Sequence, residues 1–161
     1  MRALRPSAGD LIQAGVIVAL LVADRATKLW AKASLEPVRE IAVLPFFHLT
    51  YVENTGAAWG MLRGRNMLLI VISAILLGAL LWMRKTWFGA NRWTRGGTVL
   101  VAAGALGNLY DRVVFGYVVD FFDFLVWPVF NVADSCITVG ACCLAWGLHL
   151  ADAAERKTAA N

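Results

Sequence analysis

Charged residues are scarce in this sequence: Asp, Glu, Lys and Arg together make up 16% of its 161 positions. Soluble domains carry about 25%, and disordered chains depend on a high net charge, so the scarcity disfavours both classes. Hydrophobic residues reach 60%, against roughly 45–50% in soluble proteins. The composition therefore predicts a small integral membrane protein, and the length leaves room for one domain.

Several chemical signatures are also missing. The net charge is only +4 and no run of five Lys or Arg residues occurs, which argues against nucleic acid as a partner. The three cysteines, Cys136, Cys142 and Cys143, lie in one apolar stretch without Cys-x-x-Cys spacing, so neither a disulfide framework nor a structural zinc is predicted. The sequence contains no His-Glu-x-x-His, Gly-x-Ser-x-Gly or Ser-x-x-Lys, which disfavours zinc- and serine-peptidase chemistry.

Four apolar stretches are long enough to predict membrane-crossing helices, which need about 17–25 residues. They cover approximately residues 11–30, 67–83, 97–114 and 131–150, and the tail after residue 150 is predicted to be a frayed helix end. A cleavable signal peptide is the alternative for the first stretch, because Arg2 and Arg5 precede it. Asp24, Arg25 and Lys28 follow its apolar core and favour a permanent helix instead.

Four crossings place both termini on one side of the membrane. Eight of the 15 Lys and Arg residues then lie on the terminal side, a weak bias that favours cytoplasmic termini. Residues 32–66 form an outer segment in which Phe47, Leu49 and Tyr51 alternate with more polar neighbours. That alternation predicts a small antiparallel sheet on the membrane surface. The aromatic-rich residues 115–130 are predicted to be an outer interfacial loop.

Polar residues converge on the outer side of this topology. A charge at the membrane midplane costs about 2.5–3.5 kcal/mol, so such residues need a function or a partner. Gly104, Asn108 and Arg112 follow i, i+4, i+8 spacing and share one helix face, on which Gly104 would admit a close backbone. The remaining members of the cluster are Asp24, Lys28, Glu53, Asn54, Asp111, Asp120, Asn131 and Asp134.

These residues also have simpler structural interpretations. Asp24 and Lys28 are an i, i+4 acid–base pair of the kind that stabilises a helix. Asn131 and Asp134 have the spacing of a helix N-cap and an acid at position N3. The clustering alone therefore predicts a membrane active site of unspecified reaction.

Five stretches of the sequence resemble the lipoprotein signal peptidases, the signal peptidase II family of bacterial aspartic peptidases. They are Asp24–Lys28, Glu53–Gly60, Gly104–Arg112, Gly116–Phe121 and Phe130–Ser135, and they occur in the family's order. The resemblance implies an all-α membrane core of four transmembrane helices, with a small extracytoplasmic antiparallel β-sheet between helices one and two. It also implies the bacterial cytoplasmic (inner) membrane, cytoplasmic termini and an active site near the extracytoplasmic face.

The resemblance further implies removal of the signal peptide from prolipoproteins, just before a diacylglyceryl-modified cysteine. It makes Asp120 and Asp134 the catalytic pair, with no metal or cofactor required. Lipid-modified precursors and membrane lipid are the implied partners, and the apolar faces of helices one, three and four are expected to hold the signal helix and acyl chains. The residues implied to bind substrate or support the pair are Asn54, Gly104, Asn108, Arg112, Asn131, Ala133, Asp24 and Lys28.

One stretch departs from the family pattern: the segment between Asp123 and Asn131 is shorter than expected. Two other classes of function would also retain acids in membrane helices. A transporter or proton-channel subunit usually places them near the midplane of repeated or broken helices, whereas here they cluster at one face and no internal repeat is present. A non-enzymatic assembly factor would keep its function after loss of either carboxylate.

Overall fold

The structure, a computed structural model, describes residues 7–56, 62 and 64–159. The last four residues of the Glu53–Gly60 stretch lie outside the described residues. The helices are α1 (Ala8–Leu35), α2 (Asn66–Ala90), α3 (Arg92–Val114) and α4 (Val132–Ala159). The strands are β1 (Glu40–Leu44), β2 (Phe47–Asn54) and β3 (Val118–Asp123).

The helices are longer than the apolar stretches that predict them. Ser7 caps α1 through a reciprocal pair of hydrogen bonds with Asp10, so that helix begins before residue 11. At the other end of the chain, α4 continues to Ala159, so the residues predicted to form a frayed helix end are helical. An Asp152–Arg156 ion pair one turn apart stabilises this last part of α4.

Two of the described helices, over Asn66–Met83 and Val132–Thr158, are long and apolar enough to cross a membrane. The other two carry charged residues, but Asp24, Lys28 and Asp111 are buried. These three charged side chains therefore face protein. The shortest helix, α3, has 23 residues and spans about 35 Å at 1.5 Å per residue, which exceeds the roughly 30 Å of a bilayer's hydrocarbon core.

Small residues bring α3 and α4 into close contact along their length. A Cβ atom added at Gly104 would lie 2.3 Å from the carbonyl oxygen of Ala133, and one added at Gly140 would lie 2.8 Å from the carbonyl oxygen of Gly97. The close backbone approach predicted at Gly104 is therefore confirmed. Helix α3 also packs against α1 and α2, whereas α2 and α4 scarcely touch, which leaves a cleft between them over α3.

The three strands form one antiparallel sheet in the order β1-β2-β3, so the predicted sheet is confirmed. Its third strand was not predicted: Val118–Asp123, expected in an interfacial loop, pairs with β2 through Val52↔Asp120 and Asn54↔Val118. The first four residues of β3 are all buried. A strand buried on both faces shows a continuous apolar run rather than alternation, so the alternation that reveals β2 is absent from β3.

One face of the sheet packs against α1, where Ala31, Leu35, Tyr51, Val119 and Phe121 form a buried core. Beyond β3 the chain closes a short loop: Phe122 and Phe130 pair backbone to backbone, donating to each other's carbonyl oxygens at 2.8 and 3.0 Å. This bridge returns the chain beside β3, so α4 begins next to Asp120.

Candidate active site

Asp120 projects from the middle of β3 and is 1% exposed. Both of its carboxylate oxygens accept hydrogen bonds from side-chain amides. Asn54 Nδ2 donates to Oδ2 at 2.8 Å, and Asn131 Nδ2 donates to Oδ1 at 2.6 Å. The pairing of β2 with β3 places Asn54 beside Asp120, and the Phe122–Phe130 bridge places Asn131 there.

Asp134 lies in the first turn of α4. The side-chain oxygen of Asn131 accepts from the Asp134 N–H at 2.9 Å, and Asp134 Oδ2 accepts from the Asn131 N–H at 3.3 Å. This reciprocal pair is a capping box, which confirms the capping interpretation of the sequence. The other Asp134 oxygen accepts from Asn108 Nδ2 at 2.7 Å. The cap thus holds Asp134 in a fixed orientation.

The two carboxylates share Asn131, whose side-chain amide binds Asp120 while its backbone N–H binds Asp134. Both line the same cavity. Burial, followed by the negative charge of Asp134, raises the pKa of Asp120 to about 7. A carboxyl with such a pKa can hold a proton near neutral pH, as acid–base catalysis requires.

Behind Asn108 lies a buried ion cluster. Lys28, 1% exposed, has its Nζ 2.8 Å from Asp24, 2.7 Å from Asp111 and 2.9 Å from the side-chain oxygen of Asn108. Arg25 is a second cation, 3.4 Å from Asp111. The predicted Asp24–Lys28 pair is therefore present, but it belongs to a larger network that reaches Asp134 through Asn108.

Asp24 also joins α1 to α4, since its Oδ1 accepts from the Ala133 N–H at 2.9 Å. That donor is one of the first backbone N–H groups of α4, which have no partner within the helix. The α1 carboxylate thus supplements the Asn131 cap. It fixes the helix end that carries Asp134 against α1.

Comparison with known proteins identifies the family of this chain. A family model described as signal peptidase (SPase) II matches residues 16–150. The chain is 43% identical over 143 residues to a lipoprotein signal peptidase of Clostridium acetobutylicum, which covers 85% of this chain and 92% of that protein. It is 46% identical over 134 residues to a lipoprotein signal peptidase of Caldanaerobacter subterraneus, covering 81% and 92% respectively.

The chain belongs to the signal peptidase II family. A solved structure described as a bacterial membrane enzyme superimposes with a TM-score of 0.76 at 34% identity, covering 85% of this chain and 87% of that one. A second bacterial membrane enzyme gives 0.75 at 33% identity, with coverages of 85% and 92%. The protein is accordingly a membrane protein and a peptidase.

The cavity of this signal peptidase II measures about 570 Å³ and is lined by α2, α3, α4, β2, β3 and residues 127–130. Helices α3 and α4 line this cavity, and the expectation that helix one helps to hold the signal helix and acyl chains stays a prediction. No residue of α1 is among the described residues that line this cavity. Helix α2 contributes Ser73 and Leu76 to the lining, and α4 contributes Thr138 and Val139 among others.

The predicted supporting residues divide into two groups. Asn54, Asn108 and Arg112 line the cavity, and Arg112 binds the carbonyl oxygens of Gly56 at 3.3 Å and Asn108 at 3.5 Å. The others contact the pair or its supports from behind: Asn131, Gly104, Ala133, Asp24 and Lys28. Sequence reasoning missed two contributors, the second Lys28 partner Asp111 and the cavity face of α2.

Proposed function

We propose that this signal peptidase II is an aspartic endopeptidase of the bacterial cytoplasmic membrane. It removes the signal peptide from prolipoproteins and cleaves just before the diacylglyceryl-modified cysteine. One observation carries the proposal: Asp120 and Asp134 come from separate elements, are joined through Asn131 and open onto a single cavity.

Two carboxylates this closely linked favour a state with one shared proton. Two like charges 4 Å apart repel by about 4 kcal/mol at an effective dielectric of 20. That energy corresponds to about 3 pH units between the two protonation steps. Over that interval one carboxyl can act as a base and the other as an acid, which is the requirement for aspartic peptidase chemistry.

The reaction then proceeds in two steps. The ionised carboxylate removes a proton from water while the water oxygen bonds to the scissile carbonyl carbon, and the protonated carboxyl gives its proton to the carbonyl oxygen. When the gem-diol has formed, the first carboxyl is protonated and the second is ionised. The first acid then protonates the amide nitrogen, the second removes a hydroxyl proton, and the C–N bond breaks. The products are a carboxylic acid and an amine, and both acids return to their starting states.

The cavity suits an extended segment that enters from lipid. Asn54 and Arg112 place polar groups on the cavity beside the two acids, where they can donate to peptide carbonyl oxygens. Leu76, Ile137 and Val139 line the apolar part between α2 and α4. Because α2 and α4 scarcely touch, a signal helix and acyl chains can approach through that cleft.

All four helices cross the membrane in this proposal, with the termini in the cytoplasm and the acids near the extracytoplasmic face. Three observations support this orientation. Asp134 and the end of α4 lie at opposite ends of one long helix, Arg156 and Lys157 lie in its last turn, and the sheet lies at the same end as the acids. Positive residues are favoured on the cytoplasmic side.

Replacement of either acid tests the mechanism. We expect Asp120→Asn and Asp134→Asn each to lower the rate of signal-peptide release from a lipid-modified precursor by at least about 10²-fold, since each removes a proton-transfer group. Cleavage is followed by gel shift of the precursor in proteoliposomes. Full activity in either folded variant would contradict the aspartic mechanism.

Asp123→Asn is the matched control. Asp123 lies on the same strand, but it accepts from Thr50 Oγ1 and the Leu125 N–H at 2.9 and 2.8 Å and is not among the cavity-lining residues. We expect this variant to cleave at close to the native rate. If Asp123→Asn lost as much cleavage activity as Asp120→Asn, the loss in both variants would reflect a structural role of the β3 acids rather than catalysis by Asp120.

A further inference from the structure

The hydrogen-bond chain behind the two acids has a fixed direction. Lys28 lies between two carboxylates and binds Asn108 through the side-chain oxygen, at 2.9 Å. An ammonium group only donates, so the amide oxygen of Asn108 faces Lys28 and its NH₂ group faces Asp134, at 2.7 Å. The cation therefore determines which end of the Asn108 amide meets the catalytic acid.

Asn131 has a fixed direction for a different reason. Its side-chain oxygen accepts from the Asp134 N–H, so its NH₂ group points to Asp120. Both acids thus receive donors, but the donors differ in strength. The donor to Asp134 is an amide polarised by a buried ammonium, and hydrogen bonds polarise one another along such chains.

The surroundings of Asp134 strengthen this difference. It is the third residue of α4, where the helix N-terminus favours negative charge, and the charge of Arg112 on α3 interacts more strongly with Asp134 than with Asp120. Asp120 on β3 accepts from the neutral amides of Asn54 and Asn131. The charged groups that act on Asp134 are therefore Lys28 from α1 through Asn108, Arg112 from α3 and the opposing Asp120.

We infer that Lys28 is a positioning residue which, through Asn108, holds Asp134 ionised as the base that activates water, while Asp120 carries the proton. The inference rests on the proposed aspartic mechanism and assigns its two roles. Asp134 removes the proton from water and later protonates the amide nitrogen. Asp120 gives its proton to the carbonyl oxygen and recovers one when the gem-diol collapses. The raised pKa of Asp120 agrees with this assignment.

A matched pair of double variants tests the part played by Lys28. Lys28→Met with Asp111→Asn removes one positive and one negative charge from the cluster and takes the donor away from Asn108. Arg25→Met with Asp111→Asn also removes one positive and one negative charge from the cluster. It leaves the Lys28–Asn108 hydrogen bond in place, because within the cluster Arg25 contacts only Asp111. The pH profile of kcat/KM is measured for both, after thermal unfolding has shown that they fold.

In the Lys28 variant the acid limb of the profile should move to higher pH by about one unit, because a base that has lost a stabilising positive charge ionises less readily. In the Arg25 variant the acid limb should remain within a few tenths of a unit of its native position. Equal displacement in both variants, or none in either, would overturn the inference. A purely structural Lys28 would lower the unfolding temperature and leave the acid limb where it was.

Infrared spectroscopy tests the assignment without either double variant and without substrate. At a pH of about 6, one unit below the Asp120 pKa of about 7, the native-minus-Asp120→Asn difference spectrum should contain a protonated-carboxyl band. The native-minus-Asp134→Asn spectrum should contain a carboxylate band. The opposite pattern would overturn the inference even if the Lys28 double variant fails to fold. Cleavage by the same two Asn variants decides the proposed mechanism separately.

Discussion

The carboxyl of Asp120 is buried between two amides, so its protonation is coupled to folding. Its pKa rises from 3.8 to about 7 in the folded chain. Between these values the folded state binds more protons than the unfolded state, and the free energy of unfolding therefore falls as pH rises. The stability contributed by the protonated Asp120 is fully present below its pKa in the unfolded chain and is lost above its pKa in the folded chain. Between the two pKa values it changes by at most about 1.4 kcal/mol per pH unit.

Asp120→Asn should remove this dependence, because the amide does not titrate. We expect the native unfolding temperature in detergent to decrease from pH 5 to pH 8 by several degrees more than that of the variant. Asp123→Asn, which leaves Asp120 in place, should keep the native slope. Parallel curves for the native protein and Asp120→Asn would show that the buried carboxyl does not retain its proton on folding.

Individual residues differ in how far the sequence predicts their environment. The Asn131–Asp134 spacing is local, so the capping box could be predicted and is present. The contact between Lys28 and Asn108 joins residues 80 positions apart. Helical periodicity assigns each of them to a face of its own helix but does not determine which faces meet. The sequence therefore places Asp111 in the polar cluster but does not identify it as a partner of Lys28, which it contacts at 2.7 Å.

The α3–α4 contact sets the position of α4, the helix that carries Asp134. A Cβ atom at Gly104 would meet the carbonyl oxygen of Ala133 at 2.3 Å, and that oxygen is backbone next to Asp134. We expect Gly104→Ala to separate the helices, lower the unfolding temperature by several degrees and reduce cleavage about tenfold or more, since displacements near 1 Å strongly slow positioned reactions.

Gly78→Ala on α2 is the control for the glycine substitution. A Cβ atom there has no neighbour within 4 Å, and alanine favours a helix by about 1 kcal/mol over glycine. We expect this variant to be as stable as the native protein or more so, with native cleavage. A Gly104→Ala protein equal to it in both measurements would contradict the tight packing of α3 against α4.

Strands β2 and β3 show why one strand could be predicted and the other could not. Strand β2 lies between β1 and β3, is partly exposed, and keeps the alternation of a half-buried strand. Strand β3 is covered by α1 on one face and borders the cavity on the other. Its signal was the run of β-branched and aromatic residues around Asp120, Val118-Val119 and Phe121-Phe122, which is typical of buried strands.

On the scale of the whole molecule, the composition predicts a membrane protein, yet only two of the described helices contain an apolar stretch long enough to span a bilayer. Helices α1 and α3 carry the cluster of Asp24, Arg25, Lys28 and Asp111, which would be costly in lipid. Within the bundle the two acids and two bases neutralise one another. The cost therefore falls on the isolated helices and not on the packed protein, so the charges on α1 and α3 are compatible with the proposed crossing of the membrane by all four helices.

The proposed orientation can be tested by labelling the two ends of α4. Ala154 lies 22 residues after Val132 on the same helix, about 33 Å along its axis, which exceeds the hydrocarbon thickness. Leu125, in the loop before α4, is exposed. In a background without native cysteines, Leu125→Cys and Ala154→Cys would place single thiols at opposite ends of this helix.

In intact spheroplasts we expect a membrane-impermeant maleimide to label the Leu125→Cys protein and not the Ala154→Cys protein. Both should react after the membrane is opened with detergent, which shows that each thiol is accessible to the reagent. Labelling of Ala154→Cys alone would place the acids on the cytoplasmic side and would contradict the proposed orientation. Labelling of both in intact spheroplasts would mean that α4 does not cross the membrane, since one helix of this length cannot present both ends to the same aqueous phase while it spans the bilayer.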